Sequence, residues 1–105
     1  MNQCTPAQFA EVVEDPTVQI LDVRTPQEFE SGHIEGAINI DINSQEFSER
    51  INKLEKSAHY AVYCRSGNRS SYACQDLVDI GITNIDHLEH GIIAWTDKNY
   101  PITQD

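Results

Sequence analysis

The chain has 105 residues, 39% of them hydrophobic, which suffices for one core, so a single domain over residues 1–105 is expected. Seven basic residues against seventeen acidic ones give a formal net charge of −10. That balance argues against nucleic acid and against an anionic membrane surface as partners, because both need a basic face.

The chain reads as strand and helix signals in alternation. Thr5-Pro6-Ala7-Gln8 has the form of a capping box, with Pro at the first helical position, and predicts a short helix to about Val13. Val18 to Val23 is β-rich and interrupted only by Gln19 and Asp22, which predicts a buried strand. Thr25-Pro26-Gln27-Glu28 repeats the capping box, and Gly32 stops the helix it opens. Ala37 to Ile40 reads as a brief strand. From Ser44, Phe47, Ile51 and Leu54 form one apolar helical stripe, with Glu46, Glu49, Arg50 and Lys53 turned to solvent. Tyr60 to Tyr63 is a second apolar strand that ends at Cys64. A polar loop, Arg65 to Arg69, precedes a helix from about Ser70 to Ile80, closed by Gly81. Asn84 to Leu88 predicts a strand, and Gly91 to Trp95 opens a final short helix that Pro101 closes. This alternation predicts an α/β domain with a mostly parallel sheet. In such sheets ligands sit beyond the carboxyl ends of the strands, where Cys64 falls.

The three cysteines, Cys4, Cys64 and Cys74, make neither a disulfide framework nor a zinc pair, and free thiols point to a reducing compartment. The histidines have no ligand spacing, so neither a metal nor another cofactor is expected. Met1 to Phe9 lacks the basic and apolar regions of a signal peptide, and no apolar run nears the roughly 18 residues of a membrane helix. A soluble cytoplasmic protein is the expectation.

The chemistry concentrates in Cys64-Arg65-Ser66-Gly67-Asn68-Arg69-Ser70. A loop wrapped onto a helix N-terminus points backbone N–H groups inward and makes a nest for an anion. A thiol at the start of that loop sits in a positive field that favours the thiolate. Arg65 and Arg69 add two of the seven cations, in a stretch without a carboxylate from Lys56 to Gln75, and Gly67 permits the tight turn. An activated sulfur nucleophile in an anion cradle results. Among the other residues, Cys74 is expected in the core, Cys4 exposed and uninvolved, His33 as a hydrogen-bonded turn residue, and Trp95 as a core anchor.

These segments together resemble the rhodanese family, specifically its small single-domain sulfurtransferases. Asp22-Val23-Arg24 with Glu28-Phe29 resembles the family's DVR-x-x-x-E-[FY] segment. Gly32-His33-Ile34-Glu35-Gly36-Ala37 resembles its GHI-x-GA segment, with Glu35 where proline is common. Tyr63 to Ser70 resembles its active-site loop. Leu88-Glu89-His90-Gly91-Ile92 and Ala94-Trp95 resemble its closing L-x-GG-x-x-AW segment, with His90 in place of the first glycine. The resemblance implies a five-stranded, mostly parallel sheet with helices on both faces. It implies a thiosulfate-type sulfurtransferase in which Cys64 attacks the outer sulfur of a thiosulfate-like donor and becomes a persulfide. The backbone N–H groups of residues 65 to 69 would hold that persulfide, with Arg65 and Arg69 orienting the donor. Cyanide, a small thiol or a protein thiol would accept the sulfur. Asp22 and Arg24, with Ser70, are expected to support the loop structurally.

Two other classes share features with this sequence. Cysteine-dependent phosphatases and arsenate reductases place five residues between Cys and Arg, whereas four separate Cys64 from Arg69, which makes a smaller nest. Non-catalytic rhodanese-like interaction or sulfur-carrier modules often lack the loop cysteine that is present here.

Overall fold

The computed structural model describes residues 1–105. Five strands form one parallel sheet: β1 (Asn2–Cys4), β2 (Gln19–Asp22), β3 (Ile38–Asn39), β4 (Tyr60–Tyr63) and β5 (Ile85–Leu88). The spatial order is β1-β5-β4-β2-β3. The helices are α1 (Pro6–Val13), α2 (Pro26–Ser31), α3 (Phe47–Asn52), α4 (Asn68–Asp79) and α5 (Gly91–Asp97). None is long and apolar enough to cross a membrane.

The strand order locates the site. The connection from β2 runs outward to β3, whereas the connection from β4 runs the other way to β5. Chain crossovers therefore diverge between β2 and β4, which opens a crevice at their carboxyl ends. Asp22 ends β2 and Cys64 follows β4, so both lie at this crevice.

Alternation along the strands divides the core into two layers. Leu21, Tyr60, Val62 and Ile85 face Phe47 and Ile51 of α3 and Ala73, Cys74 and Leu77 of α4. Ile20, Ala61, Tyr63 and Leu88 face Phe9 of α1 and Ile92 and Trp95 of α5. Trp95 is the anchor expected of it. It packs edge-on to Phe9 with centroids 6.0 Å apart and donates its indole N–H to the Pro101 carbonyl at 2.8 Å.

Both Thr-Pro capping boxes form as the sequence indicates. Gln8 N–H donates to Thr5 Oγ1 and Thr5 N–H to Gln8 Oε1, and Thr25 and Glu28 do the same. Three expectations need correction. Strand β1 precedes the first helix, where no strand was expected, because its three residues gain their hydrogen bonds only by pairing with β5. Cys4 is consequently buried, not exposed; its thiol donates to Asp86 Oδ1 at 3.6 Å, and burial together with that carboxylate pushes it up to about 11. The helix that begins near Ser44 in the sequence reading begins at Phe47, since Ser44 caps a preceding turn through Glu46 N–H.

Candidate functional site

The loop joining β4 to α4 is shorter than the sequence indicated. Helix α4 begins at Asn68, two residues ahead of the expected Ser70, with Gly67 as its N-cap. The amides of Asn68 and Arg69 therefore belong to the first helical turn, whose N–H groups have no intrahelical acceptor. Neither these two nor the amides of Arg65 and Ser66 donate to any group of the protein, while the Gly67 amide donates to Cys64 Sγ at 3.1 Å.

The loop's carbonyls are taken up on the opposite side. Ile92 N–H at the start of α5 donates to the Cys64 carbonyl at 2.9 Å, and Ile93 N–H to the Arg65 carbonyl at 3.1 Å. Fixing these carbonyls against α5 leaves the Gly67 amide aimed at the sulfur and the other four without a partner in the protein. The approach is close: a Cβ on Gly91 would lie 2.2 Å from the Arg65 oxygen, so glycine is required there. His90, in contrast, has φ −109°, an ordinary conformation, so the family's glycine at this place is dispensable for the turn.

Cys64 is 1% exposed, and the loop encloses its thiol. Ser70, fully buried, points its hydroxyl at Cys64 Sγ from 3.2 Å. Arg65 is exposed and forms no ion pair. Arg69 is engaged instead: its Nη1 and Nη2 donate to Glu28 Oε1 and Oε2 at 2.7 and 2.8 Å. Glu28 also closes the α2 capping box, so one carboxylate ties the start of α2 to the start of α4.

Asp22 and Arg24 pair with each other at the end of β2. Arg24 Nη2 donates to Asp22 Oδ2 at 2.7 Å and to the Gly32 carbonyl at 2.7 Å, and Arg24 N–H donates to Asp22 Oδ1 at 2.9 Å. Both residues are buried, and the guanidinium lies 5.7 Å from the centre of the Tyr63 ring. The arrangement sets the turn after β2 against Tyr63 at the end of β4. Losing either partner would leave a buried charge uncompensated, which costs about 3–5 kcal/mol.

Other sequence candidates stand apart from the thiol. His33 is a turn residue, with Nδ1 hydrogen-bonded to the Phe29 carbonyl at 2.7 Å and its ring stacked on Phe29 at 3.7 Å. Cys74 lies in the α4 core layer, where burial pushes its thiol up to about 12. A concavity of about 330 Å³ between α1 and α5 is lined by Val13, Ile34, Trp95 and Tyr100 and contains no nucleophile. One site residue escaped sequence reasoning: His87, whose Nε2 lies 2.6 Å from Ser70 Oγ. Its period-2 place on β5, opposite Val62 of β4, was the only available signal.

The Glu28–Arg69 pair makes a testable contribution to stability. Hydrogen bonding to Arg69 holds the Glu28 carboxyl down at about 2, against its ordinary 4.5. A carboxyl lowered on folding stabilises above its unfolded value, and the effect is lost as pH falls from about 4.5 toward about 2. Glu28→Gln keeps the capping box and removes the charge. The variant is expected to be less stable than the parent at about pH 7, with the gap narrowing near pH 3, in denaturant unfolding at both pH values. An equal gap at both would show that the charge contributes nothing.

The model of the family described as "Rhodanese-like domain" matches residues 5–98. Thiosulfate sulfurtransferase 18 of Arabidopsis thaliana is 36% identical over 99 residues, covering 83% of this chain and 73% of that protein. Thiosulfate sulfurtransferase GlpE of Shewanella oneidensis is 32% identical over 92 residues, covering 88% of this chain and 89% of that protein. A crystal structure of a rhodanese-related protein from Thermoplasma volcanium superposes with a TM-score of 0.87 at 35% identity, covering all of both chains. Across the curated relatives the matched share of their own length varies, from 52% to 89%. With the family model spanning nearly the whole chain and the five-stranded sheet matching throughout, this chain belongs to the rhodanese-like domain family.

Proposed function

We propose that this chain is a sulfurtransferase that moves a sulfane sulfur from a thiosulfate-like donor to a thiol or cyanide through a persulfide on Cys64. The observation that carries the reading is the sulfur's setting: Gly67 N–H at 3.1 Å and Ser70 hydroxyl at 3.2 Å, in a loop whose Arg65, Ser66, Asn68 and Arg69 amides have no acceptor in the protein. Oriented amides at a helix N-terminus favour a sulfur anion over a neutral thiol. The relatives named thiosulfate sulfurtransferases support the same reading.

In the first half-reaction the Cys64 thiolate attacks the outer sulfur of thiosulfate. An S–S bond forms to Cys64, the donor's S–S bond breaks, and sulfite departs with the electron pair. The charge then resides on the terminal sulfur of the persulfide, where the amides of Arg65, Ser66, Gly67, Asn68 and Arg69 hold it. In the second half-reaction a thiolate or cyanide takes that sulfur and Cys64 thiolate returns, a ping-pong cycle. Arg65, exposed at the loop, orients the donor's sulfonate by charge-assisted hydrogen bonds. Arg69 adds its amide to the cradle while Glu28 holds its side chain beside the loop. Asp22, Arg24 and Ser70 maintain the loop's shape. A reducing cytoplasmic setting suits the three free thiols.

Incubating the protein with thiosulfate is expected to add one sulfur atom to Cys64 by mass spectrometry, and added cyanide to release it as thiocyanate. A protein that gains no sulfur but hydrolyses an aryl phosphate would be a phosphatase instead. One that does neither would be an interaction module.

A further inference from the structure

We infer that His87 is the proton acceptor for the Cys64 thiol, acting through the Ser70 hydroxyl, and so is a positioning residue for the nucleophile. The inference rests on Cys64 being the nucleophile but not on the identity of the sulfur donor. Three contacts make a continuous line. Ser70 Oγ lies 3.2 Å from Cys64 Sγ and 2.6 Å from His87 Nε2, and His87 Nδ1 lies 2.7 Å from Gln3 Oε1. Ser70 is fully buried and His87 is 1% exposed, so water does not compete for the stretch from Cys64 through Ser70 to His87.

The directions of these hydrogen bonds follow from what each atom can do. An amide oxygen only accepts, so opposite Gln3 Oε1 the proton of neutral His87 resides on Nδ1 and Nε2 carries a lone pair. Ser70 has one proton and gives it to Nε2. Its oxygen then has a lone pair for the Cys64 S–H. Along this line the S–H bond breaks and an O–H bond forms at Ser70, while the original Ser70 proton passes to Nε2. The products are Cys64 thiolate, an unchanged serine and imidazolium. Nothing is oxidised and no co-reactant is needed. The imidazolium now donates from both nitrogens, which turns the Ser70 hydroxyl toward the sulfur, beside the Gly67 amide. Gln3 accepts in both states and fixes the ring throughout.

The surroundings of His87 suit an acceptor. From α4 it meets Ser70, which in turn meets Cys64, and from β1 Gln3, its partner in the strand register. Burial lowers its proton affinity below that of a free imidazole, and Glu89 acts in the opposite direction. Asp86, with its partners His59 and Cys4, points to the other face of the sheet. The ring is therefore neutral at neutral pH, as an acceptor must be.

The test reads the rate at which iodoacetamide labels Cys64, located by mass spectrometry, together with kcat/KM for thiosulfate, from about pH 5 to 8. The proteins are the parent, His87→Asn, Ser70→Ala, Ser70→Thr, Gln3→Leu and the double variant of Ser70→Ala with His87→Asn. Labelling of the parent should fall in acid, as His87 takes up a proton. His87→Asn and Ser70→Ala should each slow labelling by about ten- to a hundredfold at neutral pH and move that acid limb to higher pH, where the thiol loses its proton unaided. The double variant should be no slower than the slower single one, and Ser70→Thr should retain the limb. Gln3→Leu, at an exposed position, should slow labelling with the fold intact, so the proposal is tested even if His87→Asn unfolds. If His87→Asn and Gln3→Leu keep the parent's pH profile, or the two single effects multiply, the relay is wrong. Labelling needs no thiosulfate, so these labelling effects in a protein inert to thiosulfate would uphold the relay and overturn sulfur transfer. Thiosulfate turnover indifferent to His87 would do the reverse.

Discussion

Cys64→Ser is expected to lower thiocyanate formation from thiosulfate and cyanide by roughly a thousandfold or more, and to prevent any gain of sulfur by the protein. The reason is chemical, since a serine hydroxyl at neutral pH is a far weaker nucleophile and cannot carry a persulfide. Stability should change little, because serine nearly matches cysteine in size and can still hydrogen-bond to Gly67 N–H and Ser70, both already aimed at the position. Comparing the two proteins in the thiocyanate assay, alongside thermal unfolding, separates chemistry from folding. Equal activity would remove Cys64 from the mechanism and direct attention to another thiol. Cys4 and Cys74 are poor substitutes, as burial pushes them up to about 11 and about 12.

The second large effect belongs to Gly67→Ala. Gly67 has φ +103°, and a Cβ there would lie 1.9 Å from the Glu89 carbonyl oxygen and 3.0 Å from its carbon. The obstacle is backbone, so no side chain can swing aside. Gly81 supplies the comparison: its φ is +99°, yet nothing lies within 4 Å of the added Cβ. Gly81→Ala should therefore cost only the strain of a left-handed residue, about 1–2 kcal/mol. Gly67→Ala should cost that and the collision too, roughly 3 kcal/mol or more, and lower Tm by on the order of 10–20 °C. Because the Gly67 amide would move away from Cys64 Sγ, kcat/KM measured on the folded variant should also drop by about a hundredfold. A Gly67→Ala protein with the melting temperature of Gly81→Ala would mean that the loop does not pack on the 89–91 turn as described.

The helix starts at Thr5 and Thr25, the strands around Ile20 and Val62, and the polar loop after Cys64 were all readable in the chain. Each depends on residues close together in sequence: a cap and its N3 partner, an apolar run, a glycine beside cations. What could not be read depends on contacts between distant residues. Strand β1 has no pattern of its own and exists because β5 offers it a ladder. The partnership of Arg69 with Glu28 spans forty-one positions, and it changes the arginine from a free cation of the loop into a brace between two helices. His87 gave no signal beyond its place in a strand, since a histidine's role depends on which atoms meet its two nitrogens.

The sequence by itself therefore determined the architecture, the family resemblance and the position of the thiol, because local hydrogen-bonding propensity and apolar periodicity are properties of short segments. Only the tertiary structure decided how that thiol is served. It placed the Gly67 amide on the sulfur, the carbonyls of its loop against α5, and Ser70, His87 and Gln3 in line behind it. These are pairings across the sheet and between layers, and they form only when burial excludes water from polar groups that must then satisfy one another. The net charge of −10 follows the same division. Summed over the chain, it excluded partners, while the immediate surroundings of the Cys64 sulfur are the Gly67 amide and the Ser70 hydroxyl that folding brings to it.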